Sequence, residues 1–160
     1  MSLGSRYYFA YGSNMDLNQV HERGLEVVTA TRGCLSGFVL RFNKINTRFP
    51  GAGHANIVRQ NAGLVEGVLL ELPDAAAIER MDPFEGVPDR YRRTRVMVEC
   101  SERTREAWTY IGQPAWLGEG LRPTRDYLQR LLNGQAFLSP NYWQWLASHP
   151  VIDEGVAGLA

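Results

Sequence analysis

YFAYGSNM, residues 8–15, is the segment from which the architecture of this sequence can be worked out. The aromatic run Arg6 to Tyr11 predicts a β-strand that ends at Gly12, and Asp16 to Arg23 could then form two helical turns. A strand that turns through a glycine into a helix presents several backbone N–H groups together, which can bind a carboxylate or stabilise a carbonyl oxygen that becomes negative. An ordinary capped strand–turn–helix junction has the same pattern, so this segment alone leaves both interpretations open.

The remainder of the chain predicts more strands than helices. Helices are expected at residues 75–81, where Pro83 would stop the helix, and over Thr124 to Leu132 and Pro140 to Ser148. The segments do not alternate regularly as in a doubly wound sheet. We therefore expect an α+β fold in which a mixed, strongly curled β-sheet, a small barrel, encloses a cavity and helices flank it. The predicted strands cover Cys34 to Phe42, a short stretch from about His54, Leu64 to Leu72, Tyr91 to Cys100 and Arg105 to Ile111.

Composition restricts the class of protein. The 160 residues include 17 Lys+Arg and 17 Asp+Glu, a net charge of +0 that argues against a nucleic-acid-binding protein working by broad charge neutralisation. The length suits one domain, which we expect over residues 6–150, with 1–5 as a flexible leader and 151–160 as a C-terminal tail. Apolar stretches are too short to span a bilayer, so we expect no membrane partner and a cytoplasmic location. The histidines and the two cysteines, Cys34 and Cys100, lack metal-ligand spacing, so no metal is predicted.

The segment MDPFEGVPDRY, residues 81–91, contains the carboxylates that could carry acid–base chemistry. Glu85 sits in a predicted short turn between two prolines, where apolar neighbours would raise its pKa toward the range useful for proton transfer. Asp82 and Asp89 are the competing acids, since Asp82 could cap a helix and Asp89 could pair with a nearby arginine. A solvated loop acid is the alternative for Glu85 when the segment is viewed alone.

Tyrosine and arginine supply two further patterns. Tyrosines can pack their rings in a wall and turn their hydroxyls into a cavity, although each could equally be aromatic core. Arginines at the start of the strand Tyr91 to Cys100 break its alternation, which requires an inward-pointing arginine or a β-bulge. We interpret these arginines as a solvated strand face with acidic partners. The tyrosines concerned are Tyr8, Tyr11, Tyr91, Tyr110, Tyr127 and Tyr142, and the arginines are Arg90, Arg92, Arg93 and Arg95.

Taken in order, these segments resemble the gamma-glutamylcyclotransferase family. YFAYGSNM is similar to the family's N-terminal YGSN loop, and MDPFEGV (81–87) to the turn that carries the catalytic glutamate, with Tyr91 following at the expected distance. GHANIV (53–58) resembles the strand beside the pocket, and residues 123–146 resemble the two C-terminal helices. The resemblance extends from Arg6 to His149, and finding the first two motifs together makes it fairly specific.

The resemblance implies an intramolecular aminolysis of a γ-glutamyl amino acid or amine. The α-amino group attacks the γ-carbonyl, which forms 5-oxoproline and releases an amine. Glu85 would be the general acid/base, and no metal or organic cofactor would be needed. The implied partner is a small γ-glutamyl substrate, with no nucleic acid, and we expect a monomer or homodimer. The residues implied to bind the substrate are Tyr11, Gly12, Ser13, Asn14, Met15, Tyr91 and Tyr127.

Three alternatives stay open from the sequence. A biosynthetic cyclotransferase would remove a γ-glutamyl protecting group from an amine product by the same chemistry. A non-catalytic module of the same fold would keep the cavity and bind a small acid without turnover. A nucleic-acid-associated protein would use the arginine cluster, and strongly salt-dependent oligonucleotide binding would identify it.

Overall fold

A closed barrel of five strands forms the centre of the computed structural model, which describes residues 4–153. The strands are β1, Tyr7–Ala10; β2, Thr29–Ile45; β3, Gly53–Glu71; β4, Tyr91–Cys100; and β5, Arg103–Gly112. Their order around the barrel is β1-β3-β2-β4-β5, and a parallel contact between Tyr8 and Trp108 closes the ring, whereas the other strand pairs are antiparallel. The predicted α+β fold with a small curled barrel is therefore confirmed.

The hairpin of β2 and β3 is much longer than the sequence indicates. The separate strands predicted near His54 and over Leu64 to Leu72 are one strand, because residues 53–59 and 64–71 both pair with β2. Between these two stretches, residues 60–63 lie opposite Gly37 in a bulge. The polar composition of this run favours a loop, and its continuation as a strand depends on the partner strand rather than on local sequence.

The predicted pairing of β4 with β5 is confirmed, and its register runs without interruption from Tyr91–Gly112 to Cys100–Arg103. The turn has two residues, Ser101 and Glu102, rather than the predicted four, and both have positive φ, as two-residue hairpin turns require. The unbroken register rules out the β-bulge, which was the second of the two alternatives left open by the sequence. An inward-turned side chain explains the broken alternation instead, since Arg93 Nη1 lies 3.5 Å from the Asp82 carboxylate.

Within residues 4–153, four α-helices flank the barrel, and the two longest begin at the capping residues that the sequence indicates. Thr124 Oγ1 accepts a hydrogen bond from Tyr127 N at 3.2 Å, and Ser139 Oγ accepts one from Tyr142 N at 3.3 Å. Each cap satisfies a backbone donor that has no partner inside the first helical turn. The helices are α1, Leu17–Glu22; α2, Asp82–Glu85; α3, Arg125–Leu132; and α4, Pro140–Ala147.

The prediction that Pro83 stops a helix is wrong. The expected helix over 75–81 is a 3-10 turn, Ala77–Arg80, and Pro83 lies in the first turn of α2, where its missing N–H is tolerated. Gly86, with φ of 64°, ends α2 in the left-handed conformation that glycine adopts without steric cost. Glu85 is therefore the last residue of a one-turn helix, not part of an irregular turn.

Close packing of β1 on β3 positions the loop that follows β1. A Cβ on Gly67 of β3 would lie 2.4 Å from the Ala10 carbonyl oxygen and 2.9 Å from the Phe9 ring. Phe9 has no exposed surface and lies in the core of the barrel. Because only glycine allows this approach, β1 ends with the loop 11–15 held at one mouth of the barrel.

The ends of the predicted domain are only partly described, because residues 1–3 of the leader and 154–160 of the tail lie outside the described residues. Ser5 is buried, and its hydroxyl donates to the Glu106 carbonyl. Ile152 N donates to the Pro123 carbonyl at 2.9 Å. Packing on the barrel thus starts before Arg6 and continues past residue 150. None of the helices in residues 4–153 is long and apolar enough to cross a membrane.

Candidate active site

A cavity lies at the barrel mouth where β1 runs into the loop 11–15. It consists of an inner chamber of about 40 Å³ and an outer chamber of about 410 Å³. Glu85, Ser13, Tyr91 and Tyr127 line both chambers and therefore mark the boundary between them. The inner chamber also contains Tyr8, Tyr11, Gly12, Asn14, Ala55 and Tyr110, and the outer chamber contains Arg23, Lys44, His54, Phe84, Asp89 and Arg90.

The structure brings together all but one of the residues that the sequence nominated. The exception is Met15, which lines neither chamber. Its side chain is 1% exposed and packs in the core, where a Cβ on Gly134 would lie 2.8 Å from the Met15 Cβ. The 3-10 turn Ser13–Met15 faces Ser13 and Asn14 toward the cavity and Met15 away from it. The Met15 side chain therefore lies outside the cavity, and its backbone N–H donates to the Gly12 carbonyl at 3.0 Å within the loop.

Glu85 is partly buried at the junction of the two chambers. Burial raises its pKa from 4.5 to about 7, although Arg23, Lys44 and a hydrogen bond from Asn14 act in the opposite direction. A carboxyl group with a pKa near neutrality can both accept and return a proton under physiological conditions. The direction of this shift is the one that the sequence indicated for Glu85, with burial as the dominant cause.

The competing carboxylates are placed differently. Asp82 lines neither chamber, because it is held by the Tyr110 hydroxyl at 2.7 Å and by Arg93 at 3.5 Å. Asp89 lines only the outer chamber and is exposed to solvent. Within residues 4–153, no three His, Cys, Asp or Glu side chains come together as metal ligands would.

Asn14 fixes the orientation of the Glu85 carboxylate. Its Oδ1 accepts hydrogen bonds from Gln19 Nε2 at 3.1 Å and Arg23 Nη1 at 3.0 Å. Because Arg23 is only a donor, the Asn14 amide nitrogen must face the cavity, where it donates to Glu85 Oε1 at 3.2 Å and to the Tyr8 hydroxyl at 2.8 Å. The Asn side chain therefore holds the acid from the wall of the inner chamber.

The tyrosine hydroxyls of the inner chamber divide into two groups. Tyr11 and Tyr91 donate their protons to main-chain carbonyls, Tyr11 to Tyr110 and Tyr91 to Ala55 at 2.8 Å. These two oxygens can only accept a further hydrogen bond.

Tyr8 and Tyr127 have the opposite arrangement. Tyr8 accepts from Asn14, and Tyr127 accepts from Ala55 N at 2.9 Å, so the hydroxyl protons of both remain available to a ligand. Burial raises the pKa of both hydroxyls well above the ordinary value, which keeps these protons in place. The chamber therefore presents two tyrosine hydroxyls that can accept a hydrogen bond from a ligand and two that can donate one to a ligand.

The outer chamber contains cations that sequence reasoning did not assign to the site. Lys44, the only lysine of the chain, is 3% exposed, and burial lowers its pKa, with Arg90 acting in the same direction. Burial also lowers the pKa of His54 to about 4, so its ring is neutral at pH 7. The alternation of β2 could have indicated that Lys44 points inward, because Leu40, Phe42 and Lys44 are spaced two residues apart and lie on the same inward face.

Comparison with protein-family models identifies the family of this chain. The family model described as gamma-glutamyl cyclotransferase, AIG2-like, matches residues 8–129. None of the curated proteins compared with the chain matches it significantly.

The solved structures similar to this one include three with TM-scores of 0.77 or 0.78. The uncharacterized human protein loc79017 has 23% identity and a TM-score of 0.78, with 92% of this chain and 89% of that chain covered. YkqA from Bacillus subtilis has 26% identity and a TM-score of 0.78, and the match covers 91% of this chain but 55% of that longer one. A protein named gamma-glutamyl cyclotransferase has 22% identity and a TM-score of 0.77, with 96% and 98% covered. The family model, which extends over most of the barrel and the cavity, shows that the chain belongs to the gamma-glutamyl cyclotransferase, AIG2-like family.

Proposed function

We propose that this protein is a γ-glutamyl cyclotransferase that converts γ-glutamyl amino acids or amines to 5-oxoproline and the free amine. The observation that carries the proposal is Glu85, a partly buried acid with a pKa of about 7 at the junction of two chambers. Family membership and the similar structure named gamma-glutamyl cyclotransferase support the same activity.

The proposed reaction joins two groups of one substrate. Glu85 takes a proton from the α-ammonium, and the resulting amine attacks the γ-carbonyl carbon to form the five-membered lactam. As the tetrahedral intermediate collapses, the C–N bond to the leaving group breaks and protonated Glu85 supplies a proton to the departing nitrogen. The second proton that the attacking nitrogen must lose to become a lactam N–H passes through Glu85 to the released amine, which leaves as an ammonium ion. One carboxyl group therefore serves both transfers, from the attacking nitrogen and to the departing one, and returns to its ionised form. Because both reacting groups belong to one molecule, the enzyme mainly needs to fold the substrate and move protons.

The hydroxyl pattern of the inner chamber suits this substrate. Tyr11 and Tyr91, whose own protons are used by the main chain, would accept from the α-ammonium beside Glu85. Tyr8 and Tyr127 would donate to the γ-carbonyl oxygen as it becomes negative. Gly12 lies beside Tyr127, and a Cβ there would come 3.3 Å from the Tyr127 hydroxyl, which explains why the loop has no side chain at this position.

The direct test is to measure 5-oxoproline released from a panel of γ-glutamyl amino acids, γ-glutamyl amines and glutathione. We expect release by the wild type and a loss of at least about 10³-fold in Glu85→Gln, since both proton transfers need the carboxyl group. Glu79→Gln, an exposed acid on the preceding turn, is the matched control and should retain full activity.

Two results would contradict the proposal. Full activity of Glu85→Gln would remove the assigned general acid/base. A thermal shift with 5-oxoproline, without its release from any substrate of the panel, would instead indicate a non-catalytic module that binds a small acid.

A further inference from the structure

The cavity continues outward from the outer chamber into a groove of about 400 Å³. Lys44, His54, Arg90 and Tyr127 line both the outer chamber and this groove. Glu85 lines the inner and outer chambers but not the groove. The three spaces therefore form a path on which Glu85 stands at the first junction, and Lys44 and Arg90 stand at the second.

Lys44 and Arg90 are held together on one aromatic ring. Lys44 Nζ lies 5.7 Å from the centre of the Trp116 ring, and Arg90 Cζ lies 5.0 Å from the same centre. The Tyr91 ring also contacts Lys44, at 5.4 Å. Aromatic faces hold each cation in place but do not cancel its charge.

No ion pair in residues 4–153 joins Lys44 or Arg90 to a carboxylate. Lys44 and Arg90 repel each other, and the burial of Lys44 strengthens that repulsion; Glu85 attracts Lys44 from the first junction but forms no ion pair with it. A bound anion at the second junction would relieve the repulsion and complete the ion pairs. The side chains are therefore arranged as a site for a negatively charged group.

The groove beyond this junction is also positively charged. Arg48 and Arg130 line it together with Lys44 and Arg90, and Asp126 is the one acidic side chain of its described lining. Arg130 is already paired with Asp16 at 3.2 Å, which leaves Arg48 as the additional cation without a carboxylate partner in residues 4–153. A ligand with a second negative charge would find a partner there.

We propose that the leaving group of the substrate is an acidic amino acid or peptide, whose first carboxylate binds Lys44 and Arg90 and whose second lies in the groove toward Arg48. This inference rests on the proposed cyclotransferase activity. With the γ-carbonyl oxygen and the attacking amino group turned toward the inner chamber, the scissile bond lies at Glu85, and the leaving group extends along the path through the outer chamber. An α-amino acid carries its carboxylate two bonds from the departing nitrogen, and an acidic side chain continues past it.

Four γ-glutamyl substrates test the inference in matched pairs, with kcat/KM from 5-oxoproline release as the readout. γ-Glutamyl-alanine against γ-glutamyl-alaninamide isolates the first carboxylate, and γ-glutamyl-glutamate against γ-glutamyl-glutamine isolates the second. In each pair, we expect the wild type to prefer the more acidic substrate by at least about tenfold, the factor that one lost charged hydrogen bond produces.

Variants locate the preference on named side chains. Lys44→Met, which keeps the length of the buried side chain, and Arg90→Gln should each reduce the preference for alanine over alaninamide to less than about threefold. Arg92→Gln, an exposed arginine outside the cavity, is the control and should leave both preferences unchanged. If Lys44→Met lowered kcat/KM equally for all four substrates, the inference would be overturned, because Lys44 would then bind the γ-glutamyl unit itself.

The remaining outcomes are also decisive. Release from all four substrates at equal rates would overturn the inference while leaving the cyclotransferase proposal intact. If none of the four substrates released 5-oxoproline, the cyclotransferase proposal would be overturned. Binding of the same compounds, measured by calorimetry, would then test the anion site. Binding of γ-glutamyl-glutamate at least about tenfold tighter than γ-glutamyl-glutamine, lost in Lys44→Met, would support the site, and equal binding would overturn it.

Discussion

Asn14 donates one hydrogen bond to Glu85 across 3.2 Å, and its carbonyl oxygen is held by Arg23 at 3.0 Å. This contact joins the loop after β1 to the end of α2, two segments that lie 71 residues apart in the chain. The Asn14 amide therefore links Arg23 to Glu85 through two successive hydrogen bonds. It also favours the ionised form of Glu85, because a carboxylate accepts this hydrogen bond better than a neutral acid does.

Asn14→Ala should move the pH dependence of catalysis. The wild-type kcat/KM should rise with pH through about 7, since the free enzyme needs ionised Glu85. Without the Asn14 hydrogen bond the pKa of Glu85 should rise further, which shifts the acidic limb upward by about one pH unit. The pH–rate profile measures this shift, and Asn18→Ala, an exposed neighbour on α1, is the control. An unchanged acidic limb in Asn14→Ala would contradict the role given to the amide.

Glu85→Gln should be more stable than the wild type at neutral and alkaline pH but not at about pH 4 or below. The folded-state pKa of Glu85 is about 7 against an ordinary 4.5, so the folded protein holds this proton more tightly than the unfolded chain. Below pH 4.5 both states are protonated and the variant gains nothing, whereas stability of the wild type is lost as pH rises from 4.5 to 7. At about pH 8.5 the variant should be more stable by about 2–3 kcal/mol.

Urea unfolding at about pH 4 and about pH 8.5 measures the difference in free energy of unfolding. Glu79→Gln, at an exposed position, should show no such pH-dependent gain. Equal stability of Glu85→Gln and the wild type at both pH values would show that Glu85 is not desolvated in the folded protein.

Tyr127→Phe should lower kcat more than it raises KM. The Tyr127 hydroxyl accepts from Ala55 N and keeps its proton for the substrate oxygen that becomes negative in the transition state. Loss of one such donor lowers kcat by about 10²-fold. Tyr142→Phe is the matched control, because the Tyr142 ring packs in α4 and lines neither chamber. Steady-state kinetics separate the two constants, and a change in KM alone would assign Tyr127 to ground-state binding.

Gly67→Ala should destabilise the barrel. Its added methyl group would lie 2.4 Å from the Ala10 carbonyl oxygen, so β1 must move away from β3. We expect a loss of about 2–3 kcal/mol in the free energy of unfolding, as for other overpacked cores. Gly118→Ala, where a Cβ would meet the Leu121 side chain at 3.3 Å, should lose less. Equal urea midpoints for the two variants would show that β1 can shift without cost.

Features that depend on neighbouring residues could be predicted from the sequence. Thr124 and Ser139 cap their helices as expected, because a capping side chain bonds only two or three residues ahead. The barrel class was expected from the number and order of the strands. The prediction about Pro83 failed, and the sequence could not choose between a β-bulge and an inward-pointing arginine, because the same local pattern fits two backbone paths and packing against distant segments selects one.

The sequence alone therefore pointed to Glu85 and to the loop after β1, because each belongs to a motif that is contiguous in the chain. The tertiary structure determined which groups surround that acid. Arg23, Lys44 and Arg90 come from the residue after α1, from β2 and from the residue before β4, and they meet only when the barrel closes. The same holds for the tyrosine protons: Ala55 contacts Tyr91 and Tyr127 across 36 and 72 residues, and these contacts decide which hydroxyl donates. Such contacts are non-local, and no pattern within a short segment specifies them.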